Sequence, residues 1–143
     1  MAIIITPEDI AARINGYQLT DTSTPNRDTV SEVIEEDLAY VLQLAASKGV
    51  VIEAGSAQET YLRGLVIRLV SAKAELMRNR QTSSYALDVQ DKAMADITSF
   101  MGRAANLANA DTGVVDKPAS DARPNRCNRT PNPLAVWRKG GQL

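Results

Sequence analysis

Residues 56–80 read SAQETYLRGLVIRLVSAKAELMRNR, and this stretch decides the fold. Ser56 followed by Glu59 is a capping box. The serine oxygen accepts the third helical N–H, and the glutamate reaches back to the cap. Leu62, Leu65, Val66, Leu69, Ala72, Leu76 and Met77 then recur at helical spacing, and Ile67, Val70 and Ala74 widen the stripe. A helix apolar around so much of its circumference belongs in the middle of its neighbours. About 24 residues at ~1.5 Å rise make a rod of roughly 36 Å. An interior glycine costs ~1 kcal/mol against alanine, so Gly64 is expected at a close helix–helix approach. Arg78 and Arg80 suit the helix C-terminus, where cations meet the negative end of the dipole.

On the N-terminal side of this rod lies Val50-Val51-Ile52, between Gly49 and Gly55. It reads as an edge strand or a buried connector, and Ile3-Ile4-Ile5 could pair with it as a minor β element. A second helix is expected from about Thr29 to Lys48, with Asp28 as N-cap and Gly49 as the stop. Val30, Val33, Ile34, Leu38, Val41, Leu42 and Ala45 keep the 3, 4 spacing, while Glu32, Glu35, Glu36 and Asp37 read as a solvated acidic face. No second cluster of ligands turns those carboxylates into a metal site. A polar loop, residues 17–27, precedes this helix. A short first helix opens with Thr6 as N-cap, Pro7 at the first helical position and acids in the first turn, and Asn15-Gly16 ends it. On the C-terminal side, a last helix runs from near Ser84 to about Ala108. Its stripe is Leu87, Met94, Ile97, Met101, Ala104 and Ala108, flanked by Val89, Ala93, Phe100 and Ala105.

The fold class that follows is all-α: a body of four helices over residues 1–110, the first short and three long and amphipathic. An extended arm over residues 111–143 completes the chain. At 143 residues the chain suggests one domain. Only 4% of it is aromatic, so its core is aliphatic.

Several chemistries are excluded by what is missing. The sequence has no histidine, which removes the commonest general base and metal ligand. Cys127 is the only cysteine, so there is no intrachain disulfide and no cysteine zinc site. A free thiol is its plain reading. There is no phosphate-binding glycine loop, no HExxH and no G-x-S-x-G elbow. No positive case for an enzyme emerges, and no cofactor is implied. The start, MAIIITPED, lacks a basic region and has too short an apolar run for a secretory signal. No segment is long and apolar enough to span a bilayer.

The net charge of −1 hides an asymmetry. Residues 1–116 carry 10 Lys+Arg and 16 Asp+Glu, a balance of −6, whereas residues 117–143 carry 6 and 1, a balance of +5. The last stretch also holds four of the six prolines and little periodicity, so it cannot bury enough apolar surface to fold alone. It is either a disordered tail or an arm that orders on a partner. Leu134-Ala135-Val136-Trp137 favours the arm, because it holds the only tryptophan, a residue enriched at binding hot spots. Arg123, Arg126, Arg129, Leu134, Trp137 and Arg138 are therefore the candidate partner-binding residues.

The order of parts carries a resemblance. The stretch TPEDIAARI, the loop residues QLTD at 18–21, VIEEDL in the second helix, the hydrophobic third helix and YALDVQDKAMADITSF in the fourth resemble one family. These are the small helical head–tail adaptor, or head completion, proteins of tailed bacteriophages, and the Mu-like branch of short connectors is the most similar to the N-terminal part. The resemblance covers about residues 5–108 by pattern more than by identity, and the stretch beyond Ala110 departs from it. It implies a structural virion protein without catalysis, made in the host cytoplasm. About a dozen copies would form a ring between the portal and the next tail or stopper protein. That ring would extend the DNA channel without sequence-specific binding. The arginines of the arm would then form charge-assisted pairs with carboxylates of the portal or a neighbour. The alternative is a nucleic-acid-binding helical module whose basic tail tracks phosphates. Against it stand the acidic body and the lack of aromatics interleaved with the basic residues.

Overall fold

Four helices follow one another in the computed structural model, which describes residues 3–79 and 83–111. They are α1 (Pro7–Ala11), α2 (Arg27–Ser47), α3 (Ala57–Arg78) and α4 (Ser84–Asp111). Helix α3 touches each of the other three, and its longest contact is with α4. Helix α2 packs mainly on α3 and reaches α4, while α1 touches α2 and α3. The all-α body with a short first helix is thus as expected. The central place of α3 follows from its burial: Leu62, Val66, Leu69 and Val70 are fully buried, and Leu65, Ile67, Ala72, Ala74 and Leu76 nearly so. Fully burying one such aliphatic side chain contributes about 1.5–3 kcal/mol.

The helix ends have local causes. Thr6 caps α1 in a reciprocal box: its backbone N–H donates to Asp9 Oδ2 at 2.9 Å, and the Asp9 N–H donates to Thr6 Oγ1 at 3.4 Å. Helix α1 stops at Ala11, earlier than Asn15-Gly16, yet Ile14 beyond it is still buried. Helix α2 starts two residues earlier than expected. Its N-cap is Asn26, whose Oδ1 accepts the Thr29 N–H at 2.8 Å, and Asp28 sits in the first turn instead. It ends in a Schellman motif. Gly49 has φ +65°, the Gly49 N–H donates to Ala46 O, and the Val50 N–H donates to Ala45 O. Only glycine takes that backbone conformation cheaply. Ser56 caps α3 by accepting the Glu59 N–H at 3.1 Å. Glu59 Oε2, however, accepts from the Gly55 N–H at 2.6 Å rather than from the cap itself. The Ser56 N–H is already taken by the Glu53 carbonyl, so the reciprocal half of the box moves back one residue.

Other sequence expectations are decided by the packing, and two stripe members, Leu42 of α2 and Met77 of α3, are exposed. No strand forms among the described residues. Of the two readings offered for Val50–Ile52, the buried connector holds and the β pair with Ile3–Ile5 does not form: Ile5, Val50 and Ile52 are buried while Ile4 and Val51 are exposed, so both runs drop alternate side chains into the helical core. The stripe of α4 holds at Met94, Ile97, Met101 and Ala104 and departs at its two ends. Ala86, Ala93, Ile97, Phe100 and Met101 are buried, whereas Leu87 and Ala108 are exposed. At the start of the helix Ala86 rather than Leu87 is the buried position, and one residue along a helix turns the side chain by roughly 100°. Finally, Gly64 makes no close approach: a Cβ built there meets no atom within 4 Å. Gly64→Ala is therefore expected to raise stability by ~0.5–1 kcal/mol, the helix-propensity difference alone. Urea unfolding of the variant measures this, and a loss of stability would restore a packing role for the glycine.

Candidate functional site

Two loops are fastened to α3 by its arginines. Arg63 donates from Nε to the Ile4 carbonyl and from Nη2 to Asp9 Oδ2, both at 2.8 Å. Arg78 donates to the Asn15 and Gly16 carbonyls at 3.1 and 3.3 Å and lies over the Tyr17 ring. The Tyr17 hydroxyl in turn donates to the Pro25 carbonyl. These bonds lock the N-terminal connector and the loop between α1 and α2 onto the central helix. The Thr6 backbone N–H holds the Asp9 carboxyl below the usual carboxylate range, and the Thr6 hydroxyl and Arg63 act in the same direction against partial desolvation.

Two recesses on the helical body are lined by described residues. The larger, about 610 Å³, lies between α3, the start of α4 and the turn after α1. Arg13, Arg68 and Lys92 line it, but so do Glu75 and Asp88, and Arg68 also approaches Asp96 at 3.8 Å. Its charges are mixed and select neither sign of ligand.

The smaller recess, about 320 Å³, is a groove between α2 and α4 with α3 beneath. Glu36, Asp37 and Tyr40 come from α2, Lys73 from α3, and Gln90 and Met94 from α4. Asp37 corrects the sequence reading: it is not on the solvated face but 4% exposed. Its position explains this. Val33, Asp37, Val41 and Ala45 recur every four residues, so Asp37 falls within the buried row. A buried carboxylate needs a partner, and Lys73 Nζ supplies one to Oδ1 at 2.5 Å. The other oxygen, Oδ2, has no hydrogen-bond partner among the described residues.

Beside the groove runs the rest of the acidic face. Glu32, Glu35 and Glu36 are exposed, as expected, and so is Asp28 in the first turn. Each lies outside the four ion pairs formed among the described residues, Arg27–Glu8, Arg63–Asp9, Arg68–Asp96 and Lys73–Asp37. This side of the molecule is a field of carboxylates with one buried, half-satisfied member.

The six candidate partner residues, Arg123, Arg126, Arg129, Leu134, Trp137 and Arg138, lie outside the described residues, as do Arg80 and Cys127. Sequence reasoning missed Asp37 and Lys73 as a site. The available signal was the acid at the phase of Val33 and Val41. Among the described residues no three His, Cys, Asp or Glu side chains gather to hold a metal ion. No helix there is long and apolar enough to cross a membrane. Comparison of the chain with protein-family models, curated proteins and solved structures finds no match.

Proposed function

We propose that this chain is a structural adaptor of a tailed-bacteriophage head–tail junction. About a dozen copies would form a ring between the portal and the next tail or stopper protein, and the reading involves no catalysis. The observation that carries it is the order of parts: a short capped α1, an acid-faced α2, a hydrophobic central α3 and a long α4. That order is also the one the resemblance rests on. In this reading Arg123, Arg126, Arg129 and Arg138 pair with carboxylates of the portal or a neighbouring copy, and Leu134 and Trp137 anchor the contact. The acidic face of α2 suits a channel component that lets DNA pass without gripping it, because like charge repels phosphate.

The test is to mix the purified full-length chain with the portal of the same phage and image the product by electron microscopy. A ring of this chain stacked on the portal is the expected result. Absence of association removes the adaptor reading. Binding to DNA that weakens steeply with salt would replace it with the nucleic-acid module.

A further inference from the structure

The turn that follows α1 carries the only Asn-Gly pair of the chain, Asn15-Gly16. Both residues are exposed. Gly16 has φ +68°, a left-handed backbone that other residues take only at a cost. The turn therefore keeps a residue without a side chain next to Asn15, and the Gly16 peptide nitrogen stays unshielded. That nitrogen makes no hydrogen bond among the described residues, and neither does the Asn15 side-chain amide. Asn26 shows the contrast: its Oδ1 accepts the Thr29 N–H at 2.8 Å, and Arg27 follows it inside α2. The two main-chain carbonyls of the Asn-Gly pair, by comparison, are engaged. Arg78 donates from Nη1 to the Asn15 carbonyl at 3.1 Å and from Nη2 to the Gly16 carbonyl at 3.3 Å.

We propose that Asn15 is a self-modification site, at which water converts the amide to a carboxyl group and the Arg78 guanidinium directs the product to isoaspartate. Hydroxide takes the proton of the Gly16 nitrogen. The nitrogen attacks Cγ of Asn15, an imide ring closes, and Nδ2 leaves as ammonia after taking a proton from water. A second water then opens the ring at either of its two carbonyls. Opening at Cγ breaks the new bond and leaves aspartate in the original backbone. Opening at the main-chain carbon breaks the Asn15–Gly16 peptide bond and routes the chain through Cγ, which gives isoaspartate. The net change is water consumed and ammonia released, with no oxidant or reductant.

Arg78 acts at two of these steps. A peptide anion spreads its charge onto the carbonyl oxygen of the same peptide unit. Here that oxygen is the one Arg78 holds, and a cationic donor favours the charged form. The same donor faces the oxyanion that forms when water adds to the main-chain carbon, the arrangement that stabilises a tetrahedral intermediate. In the isoaspartate product this carbonyl has become a carboxylate, so Arg78 gains a charged partner in place of a neutral one. The extra backbone carbon shifts Gly16 and Tyr17, whose ring lies under the same guanidinium. The modification thereby loosens the loop between α1 and α2 from α3. It concerns the chain by itself and is independent of the adaptor reading.

The test incubates the full-length protein in mildly alkaline buffer, digests it, and separates and fragments the peptides by mass spectrometry that resolves isoaspartate from aspartate. Asn15 is expected to convert before any other asparagine of the chain. Its isoaspartate-to-aspartate ratio is expected to exceed that of a synthetic peptide of residues 11–20 by about threefold, the factor an exposed charged contact supplies. Arg78→Gln is expected to bring the ratio down to that of the peptide. An Asn15 that stays intact, or that converts after another asparagine, overturns the site. A wild-type ratio equal to that of the peptide overturns the part given to Arg78, and this comparison stands even where Arg78→Gln fails to fold. A ratio unchanged in a folded Arg78→Gln, by its circular dichroism, overturns that part as well.

Discussion

Lys73→Met destabilises the protein by about 3–5 kcal/mol, the typical cost of leaving one member of a buried ion pair behind. Asp37 is the reason. Its side chain is 6% exposed and Lys73 is its ion-pair partner, so the variant keeps the lysine's apolar stem and strands a carboxylate in the core. A domain of this kind has only about 5–15 kcal/mol of stability in total, so the loss is roughly a fifth of it or more. The double variant Asp37→Leu/Lys73→Met is expected to recover most of the loss, since replacing both partners by apolar groups of similar volume is often neutral or stabilising. Urea unfolding of the two single variants and the double closes a cycle that isolates the pair. A loss below ~1 kcal/mol for Lys73→Met would mean that the pair behaves as a surface ion pair. Asp37 would then not have the buried character on which the groove depends.

Leu69→Ala is expected to cost about 2–5 kcal/mol through lost burial and the cavity left behind. Leu69 is fully buried at the middle of α3, where helices meet on several sides, so no single neighbour can move in to fill the space. The matched control is Leu87→Ala on α4. Leu87 is 45% exposed, and its truncation removes little buried area. Its loss is expected to stay within ~0.5 kcal/mol, as for ordinary surface substitutions. Equal losses at the two positions would place Leu87 back in the core, where the sequence reading put it. Measured together, the pair tests the central place of α3 and the outward placement of Leu87.

The candidate site was legible only in part. The acidic run at Glu35-Glu36-Asp37 and the cationic run at Arg123, Arg126 and Arg129 are plain in the sequence, and so is their opposite sign. What could not be read was which carboxylate turns inward. Glu36 and Asp37 are adjacent and chemically alike, yet one is exposed and the other buried. The difference arises because Asp37 stands one helical turn from Val33 and Val41 and meets a lysine on another helix, thirty-six residues away.

The chain's local order, by contrast, follows from sequence alone. Thr6-Pro7, Ser56 and Gly49 mark helix ends because capping and left-handed backbone are decided within four or five residues. The wide apolar stripe between Leu62 and Leu76 points to a central α3. Tertiary structure decided the rest: Leu87 outward and Ala86 inward, extended connectors in place of a β pair, open space beside Gly64, and Asp37 against Lys73. Each of these depends on a second element arriving at a particular angle and height. Periodicity within one helix carries no information about that arrival.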